Sequence, residues 1–358
     1  MKKPFIIAEL GTSHGGDPVK ARELIAAAAE AGADCVKCQI VYADEILHPA
    51  TGTVRLPGGE VSLYQAFKAL EKPPEFYAMM RETAEKRRVR FLATPFGPKS
   101  ARILREFDPW AVKIASPELN YTGLLRETGA WGVKVFLSAG IATLGDIEEA
   151  LQTLRAAGTE EITLLHCVTA YPAPCEDYNL RVLPHLAGIF GAGIGVSDHS
   201  LDPLLVPLAA LAAGGGVLEK HFCLSRTGGG LDDPIALVPG DFARMCRELA
   251  RASELDAAAL TAALSAAYGR ERVEAVLGSG VKRLAPAETA NYGRTNRSLH
   301  ALADIPRGEP IRAELIGVLR SEKHLRPGLP PSWRERVTGR KAREAIPAGE
   351  GIRFEDLS

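Results

Sequence analysis

Short apolar segments alternate with longer amphipathic segments along most of the chain. Eight of the apolar segments predict buried strands, because they are nearly continuous and are bounded by glycine, proline or polar residues. They cover residues 5–11, 33–41, 90–96, 111–118, 133–140, 162–169, 192–199 and 215–222. Helical periodicity predicts helices over residues 19–31, 74–87, 99–106, 145–157, 203–213 and 239–267.

Eight strands, nearly all followed by a helix, occupy about 270 residues. This pattern predicts an α/β fold, a (β/α)8 TIM barrel. A doubly wound open sheet is the alternative, although no GxGxxG motif follows a strand to support it.

Polar side chains collect where the predicted strands end. The loops that follow the strands of a TIM barrel build its active site, so these side chains mark a candidate site. They are Glu9, His14, Lys37, Gln39, Thr94, Lys113, Ser116, Glu118, Ser138, His166, Thr169, Tyr171, Ser197, Asp198, His199, Glu219, Lys220 and His221.

The pattern changes after the barrel. We predict a barrel domain over residues 1–277, a charged linker over 278–293 and a small C-terminal module over 294–358. The core of so short a module is marginal by itself, so we expect it to dock on another surface.

Charge and hydropathy narrow the function classes. The 358 residues contain 43 Lys and Arg against 44 Asp and Glu. This balance gives no sign of nucleic acid or an anionic membrane as a partner. The longest apolar run, residues 203–218, is too short to span a bilayer. Glu9 interrupts the first apolar stretch, so we predict no signal peptide and a cytoplasmic protein.

Two of the six cysteines, Cys35 and Cys38, have the CxxC spacing of a redox pair or half a zinc site. On a strand, residues three apart point to opposite faces. We therefore predict a structural role for both thiols, as for the other four cysteines.

Two histidines at the ends of neighbouring predicted strands, His199 and His221, are the strongest metal candidates. Two imidazoles, with the other positions left to water and substrate, suit Mn²⁺ or Zn²⁺. The alternative is that both are hydrogen-bonded structural histidines.

Two lysines, Lys37 and Lys113, fall within strands where an unpaired cation is costly. Together with nearby hydroxyl groups they predict a site for phosphate and carboxylate. Internal pairing with Glu9, Glu118 or Glu219 is one alternative, and a Schiff-base lysine is another.

Motifs in order along the whole chain resemble the sialic acid synthase family. In the barrel they include Phe5-Ile-Ile-Ala-Glu-Leu-Gly, Val112-Lys-Ile-Ala-Ser, Gly195-Val-Ser-Asp-His-Ser and Leu218-Glu-Lys-His-Phe. In the tail, Arg297-Ser-Leu-His-Ala and Val337-Thr-Gly-Arg-Lys-Ala resemble the antifreeze-like SAF domain of that family.

The resemblance implies condensation of phosphoenolpyruvate (PEP) with an N-acylated amino sugar to a nine-carbon 2-keto sugar acid. It assigns His199 and His221 to a divalent ion, Mn²⁺ before Mg²⁺, Co²⁺ or Zn²⁺. It assigns PEP to Lys37, Thr94, Lys113, Ser116, Ser138 and Ser197. It places Gln39, Glu118, Tyr171 and Asp232 toward the sugar, and Glu9 near the metal-bound water. It also implies a domain-swapped homodimer, in which Arg320 or Arg326 of one chain reaches the barrel of the other.

Departures from the family pattern fall on the sugar side. They are Gly230-Leu-Asp-Asp233 after strand eight, Thr169-Ala170 before the tyrosine, and Leu56-Pro-Gly-Gly-Glu, which lacks an asparagine. The sequence therefore leaves the acceptor open between sialic, legionaminic and pseudaminic acid types. A Schiff-base pyruvate aldolase and a non-catalytic sugar-binding protein remain alternative functions.

Overall fold

The computed structural model describes residues 1–56 and 59–358, so Pro57 and Gly58 of the loop singled out above lie outside it. Eight strands form one sheet. They are β1 (Phe5–Gly11), β2 (Cys35–Ile40), β3 (Arg90–Pro95), β4 (Ala111–Ile114), β5 (Lys134–Ser138), β6 (Ile162–Cys167), β7 (Gly193–Asp198) and β8 (Val217–His221). A hairpin of Thr53–Leu56 and Gly59–Ser62 follows β2.

The strand order is β3-β2-β1-β8-β7-β6-β5-β4, and every paired neighbour is parallel. This is the cyclic order of a TIM barrel, nearly closed between β3 and β4. At that seam the Trp110 indole Nε1 donates to the Phe91 carbonyl at 2.7 Å. The barrel prediction is confirmed, and the doubly wound sheet is excluded.

Helices cover the outside of the barrel and continue into the tail. They are α1 (Pro18–Glu30), α2 (Leu63–Ala69), α3 (Pro74–Lys86), α4 (Pro98–Glu106), α5 (Thr122–Gly129), α6 (Leu144–Ala157), α7 (Val182–Phe190), α8 (Leu205–Ala212), α9 (Pro239–Ala252), α10 (Ala257–Tyr268), α11 (Arg270–Leu277) and α12 (Arg334–Val337). Across residues 1–56 and 59–358, none of them is long and apolar enough to cross a membrane.

Two predicted elements were wrong in extent. The helix expected over 239–267 is two helices, because the Asp256 side chain caps α10 by accepting from the Ala259 N–H at 2.8 Å. The strand expected over 111–118 stops at Ile114, because Ser116–Glu118 turns into a 3₁₀ helix around Pro117.

The barrel interior has an apolar lower half. Seven buried side chains, one from each strand except β7, form one cluster there: Ile7, Cys35, Leu92, Ala111, Phe136, Leu165 and Val217. Cys38 belongs instead to the cluster between strands and helices. The two thiols of the CxxC motif therefore face opposite sides of β2, as predicted.

The tail docks on the mouth of the barrel. Its strands β9 (Arg297–Ala301) and β10 (Ile316–Arg320) pair antiparallel. The Arg320 N–H donates to the Ile46 carbonyl at 2.9 Å, and the Asn120 side chain bonds the backbone of Arg297. We call residues 294–358 the cap. These contacts lie within one chain, and exchange of caps between two chains remains a prediction.

Candidate active site

Four charged side chains fill the upper half of the barrel interior, directly above the apolar cluster. Lys37 Nζ lies 3.3 Å from Glu9 Oε2 and 3.1 Å from Glu219 Oε1. Lys113 Nζ lies 3.8 Å from Glu219 Oε1. All four are buried. Period-two alternation turns these positions of β1, β2, β4 and β8 inward, so the strands themselves bring the charges together. The internal pairing considered as an alternative for both lysines is present.

The two carboxylates of this cluster differ in pKa. Burial raises the pKa of Glu9 above its usual range, although Lys37 opposes the shift. Burial would also raise the pKa of Glu219, but the charges of Lys113 and Lys37 outweigh it and hold this pKa low. Glu219 is therefore the ionised partner, and Glu9 takes up a proton most readily.

The two lysines also differ in pKa. Burial would lower the pKa of Lys37, but Glu219 and Glu9 outweigh it and the pKa is raised. Burial lowers the pKa of Lys113 to about 8, with Lys37 adding to the effect and Glu219 opposing it. An anion placed beside Lys113 would raise this pKa again, because an opposite charge stabilises the protonated amine.

Hydroxyl groups surround the lysines. Ser138 Oγ accepts from Lys113 Nζ at 2.7 Å, and Ser116 Oγ accepts from the Gly140 N–H at 3.0 Å, so both hydroxyl hydrogens stay available. Thr94 Oγ1 is buried and has no hydrogen-bond partner within the described residues. Ser197 Oγ, in contrast, donates to Glu219 at 3.0 Å. A ligand with several acceptor oxygens fits the first three groups.

The two histidines lie closer to the mouth than the lysines. His221 is two residues beyond Glu219 on β8, and His199 is two residues beyond Ser197 at the end of β7. Their ring centroids are 5.4 Å apart, and the Tyr171 ring stacks on His199 at 4.3 Å. His199 Nδ1 is 2.9 Å from the Val168 carbonyl, so Nδ1 carries the hydrogen and Nε2 keeps its lone pair. Burial lowers the pKa of both imidazoles, which favours the neutral form that metals bind.

These groups fit a divalent ion that takes only part of its ligand shell from the chain. In the described ranges, no group of three or more His, Cys, Asp and Glu side chains is arranged to hold an ion. The chain would supply two imidazoles and leave the remaining positions to water and substrate, as Mn²⁺ or Zn²⁺ sites in enzymes allow.

Two more assigned residues reach this level of the barrel. Asp232 Oδ2 lies 3.8 Å from His221 Nδ1, and burial raises the pKa of Asp232 to about 6. Gln39 Nε2 donates to Glu9 Oε1 at 2.7 Å. Gly11 lies among them, because a Cβ there would stand 3.0 Å from Asp232 Oδ2. The structure therefore gathers the residues assigned to the metal and to the sugar at one mouth.

Neighbouring residues on β7 and β8 face outward and support the histidines from behind. Lys220 Nζ lies 2.6 Å from Asp198 Oδ2, and both side chains are fully buried. The Tyr178 hydroxyl donates to Asp198 Oδ1 at 2.8 Å and accepts from the His199 N–H at 2.7 Å. His166 also faces outward, with Nε2 2.6 Å from the Tyr178 carbonyl. The prediction was therefore wrong for His166, Asp198 and Lys220, because alternation turns these strand-end side chains away from the barrel interior.

The cap closes one side of the mouth through two arginines that meet one carboxylate. Arg297 Nη2 lies 2.8 Å and Arg320 Nη2 2.7 Å from Glu118 Oε1. The other oxygen, Glu118 Oε2, has no hydrogen-bond partner among the described residues. Glu118 therefore keeps one free acceptor at the mouth while its charge is neutralised from the cap.

Arg297 of the cap contacts three loops of the barrel. Its guanidinium donates to the carbonyls of Glu45 at 2.5 Å, Phe96 at 2.9 Å and Val318 at 3.1 Å, besides Glu118. It thus ties the loops after β2, β3 and β4 to the cap. The buried arginine is satisfied in every direction, as a buried charge requires.

Only one of the two cap arginines reaches the site. Arg320 contacts Glu118, whereas Arg326 Nη2 lies 2.6 Å from Asp356 and Nε 3.7 Å from Glu350, both in the cap. The structure therefore does not bring Arg326 to the site within this chain.

Sequence reasoning missed two contributors, Arg297 and Glu288, and left the role of a third open. Glu219 lies at a predicted strand end and shares a face with His221 by alternation, but it was interpreted only as a possible partner of the lysines. Arg297 carried no such signal. Glu288, in the stretch interpreted as a linker, is buried and accepts from the N–H groups of Ile141 at 2.7 Å and Thr169 at 2.8 Å. It fixes the loops after β5 and β6 at the mouth.

The barrel, the cap and the polar mouth define a class: a (β/α)8 protein with a C-terminal SAF domain over its candidate site. Residues 24–259 match the family model described as the NeuB family, and residues 296–358 match the SAF domain. The chain belongs to the NeuB family.

Relatives extend over nearly the whole chain. Spore coat polysaccharide biosynthesis protein SpsE of Bacillus subtilis is 35% identical, covering 99% of this chain and 93% of the relative. Its crystal structure matches with a TM-score of 0.83 over 99% of this chain and 95% of that one. N,N'-diacetyllegionaminic acid synthase of Campylobacter jejuni is 33% identical, covering 86% of this chain and 88% of that protein. Pseudaminic acid synthase of Campylobacter jejuni serotype O:23/36 is 31% identical, over 99% and 97%.

Proposed function

We propose that this chain condenses PEP with an N-acylated amino sugar to give a nine-carbon 2-keto sugar acid and phosphate. The observation that carries the proposal is the layered interior. Lys37 and Lys113, with free hydroxyls beside them, lie directly beneath the pair His199 and His221. An anion site next to a candidate metal site is what an anionic nucleophile and a neutral aldehyde require. The named synthases among the relatives support the reaction class.

The lower layer of the interior, which contains Lys37, Lys113 and the hydroxyl groups beside them, suits PEP. Lys37 and Lys113 would bind its phosphate and carboxylate, with Thr94, Ser116 and Ser138 donating hydroxyl hydrogens and Ser197 beside them. Protonation of Glu9 would leave this layer net positive, because only Glu219 would then oppose the two lysines. Because the pKa of Glu9 is raised to about 7, its protonated and ionised forms are both populated near neutral pH, and the ionised form is the one that can act as a base.

The upper layer, at the level of His199 and His221, suits the open-chain sugar. Gln39, Glu118, Tyr171 and Asp232 line its surroundings, with Arg320 neutralising Glu118. Carbon 3 of PEP would form a bond to the aldehyde carbon, and water would add at carbon 2 before the bond between carbon 2 and the phosphate oxygen breaks. Glu9, held between Lys37 and Gln39, is placed to take the proton of that water.

A divalent ion on His199 and His221, Mn²⁺ before Mg²⁺, Co²⁺ or Zn²⁺, would supply Lewis-acid polarisation of the aldehyde oxygen. The chain's own part is to bury both imidazoles, which favours their neutral form, and to orient His199 through the Val168 carbonyl at Nδ1 and the Tyr178 hydroxyl at its backbone N–H.

The direct test is a phosphate-release assay with PEP, Mn²⁺ and a panel of acceptors. The panel contains N-acetylmannosamine and diacetamido-deoxyhexoses, each checked for a nine-carbon product by mass spectrometry. We expect phosphate release that requires one acceptor of the panel and gives one product equivalent per phosphate. Phosphate release that no acceptor stimulates would contradict a synthase.

One observation favours a second function, a Schiff-base pyruvate aldolase. Burial lowers the pKa of Lys113 to about 8, and a lowered pKa is how enzymes activate a lysine nucleophile. Borohydride reduction in the presence of pyruvate separates the two functions. A stable adduct on Lys113 would favour the aldolase, whereas an unmodified lysine in an enzyme active with PEP favours the synthase.

A further inference from the structure

Two adjacent carboxylates after β8 have different surroundings. They end a loop of residues 223–233, called the Asp232 loop here. Asp232 faces the mouth with Oδ2 3.8 Å from His221 Nδ1. Asp233 turns away and is 1% exposed. The middle of the loop, residues 225–229, is exposed.

The buried carboxylate joins this loop to the loop after β1. Asp233 Oδ1 accepts from the Ser13 hydroxyl at 2.5 Å, and Oδ2 accepts from the Gly230 N–H at 2.8 Å. Beside it, the Leu231 N–H donates to Thr12 Oγ1 at 3.0 Å. We call Thr12, Ser13 and Asp233 the latch. Ser13 and Thr12 are themselves buried, so the latch is shielded from water.

The loop is shaped around this carboxylate. A Cβ at Gly228 would stand 2.7 Å from Asp233 Oδ2, and a Cβ at Gly230 would stand 2.6 Å from Asp233 Oδ1. The two glycines give the carboxylate the room it occupies. In the exposed part of the loop, Lys20 Nζ donates to the Gly228 carbonyl at 3.2 Å and Arg226 Nε donates to the Ala236 carbonyl at 3.0 Å. The latch is the buried anchor of the loop, shielded from the water that competes with these exposed bonds.

The latch lies on the upper layer of the site. His221 follows Glu219 by two residues along β8, so it stands one layer above the lysines that Glu219 contacts. Asp232 is placed against His221 at that level. Movement of the Asp232 loop would therefore disturb the place assigned to the sugar before it disturbed the place assigned to PEP.

We infer that Asp233 is a positioning residue that, through Ser13 and Thr12, holds Asp232 over the histidine pair and so tunes recognition of the acceptor sugar. This inference rests on the proposed function for its sugar, and on the contacts above for its geometry. Asp233 acts through Asp232 and touches neither substrate.

The first measurement reports the latch without any catalysis. Arg226 lies in the exposed part of the loop, so trypsin cleavage after Arg226 follows opening of the loop. Loss of a buried, charge-assisted hydrogen bond should speed that cleavage on the order of tenfold in Ser13→Ala and in Asp233→Asn. Ser225→Ala is the matched control, because its hydroxyl bonds only Thr227 in the exposed part of the loop.

The second measurement separates positioning from general damage. Ser13→Ala should raise the apparent KM for the sugar about tenfold and leave that for PEP within roughly twofold. Unchanged cleavage at Arg226 would overturn the latch, and an equal rise in both KM values would overturn its role in sugar recognition. Ser13→Ala decides the matter if Asp233→Asn does not fold. A protein that condenses no acceptor would instead refute the proposed function, while the cleavage assay would still decide the latch.

Discussion

The site has two halves that the chain builds in different ways. The strand-borne half consists of side chains fixed by strand register, with Lys37, Lys113 and Glu219 at its centre. The other half comes from loops and the cap, and includes Glu118 and Asp232. In the first half strand register sets the contacts, because Lys37, Lys113 and Glu219 occupy inward positions of different strands and meet across the barrel interior. In the second half no register relates the partners, and Glu118 meets Arg297 only because the cap folds back over the mouth.

This difference separates chemistry from selectivity. The departures from the family pattern at Thr169-Ala170 and at Gly230–Asp233 both fall in the loop-borne half. A strand position is constrained by every neighbour in the barrel, whereas a loop can change with fewer consequences for the fold. We therefore expect the strand-borne half to determine whether reaction occurs and the other half to determine which sugar reacts.

The largest effect is expected where the strands end, at His199. His199→Ala should lower the rate on the order of a thousandfold, because it removes one of two imidazoles available to a metal. Bound Mn²⁺, counted by electron paramagnetic resonance, should fall with it. His166→Gln is the control, since that histidine faces outward. Full activity after exhaustive treatment with EDTA would contradict the metal assignment.

The next effect tests the anion layer. Lys113→Met combined with Glu219→Gln removes a cation without leaving a buried carboxylate unpaired. The apparent KM for PEP should rise about thirtyfold or more, and that for the sugar by less than about threefold. Lys134→Met is the matched control, because this lysine lies at the other end of β5 and pairs with Glu161. A change confined to the sugar would contradict the assignment.

A smaller effect is expected from the cap. Arg320→Ala removes one of two guanidinium groups from Glu118 and should raise the apparent KM for the sugar about tenfold. Arg326→Ala should leave both KM values unchanged, because Arg326 pairs with Asp356 inside the cap. Equal effects of the two substitutions would show that the cap acts only through its stability.

The same variant tests the predicted exchange of caps. When Arg320→Ala and His199→Ala chains are mixed, a swapped dimer would contain one site with an intact barrel and an intact cap. At a sugar concentration far below KM, Arg320→Ala alone should keep about a tenth of the activity, and we expect the mixture to exceed the average of the two separate chains if caps act on the partner chain. No recovery after subunit exchange, shown by differently tagged chains, would mean that Arg320 serves its own barrel, as the structure shows for one chain.

The last prediction concerns the stability of the cap and not catalysis. Burial lowers the pKa of His300 to about 4, with Nδ1 2.7 Å from the Gly349 carbonyl. An unfolded histidine takes a proton below about pH 6.5, and the folded cap resists this until about pH 4. Stability should therefore fall as pH drops through that window, by up to about 3 kcal/mol. Urea unfolding at pH 7 and pH 4.5 measures it, and His300→Gln should show a smaller difference.

Alternation of side chains along the strands was enough to predict most of the strand-borne half of the site. It placed Ser138 and Ser197 with the lysines, and it paired His199 with His221, because a parallel barrel turns alternate residues inward. It could not predict Arg297 or Glu288. Their roles depend on how the tail and the stretch before it fold back over the mouth. No local period records such a docking, since the partners lie on other elements.

The two layers of the barrel have a kinetic consequence for the proposed reaction. The interior below the lysines is closed by Phe136, Val217 and the rest of the apolar cluster, so a ligand reaches them only from the mouth. A sugar on the upper layer would stand in that path. PEP must then bind first and the sugar second, and the sugar acid must leave before the lower layer can be emptied. Product-inhibition patterns should show this compulsory order, with phosphate competing against PEP and not against the sugar.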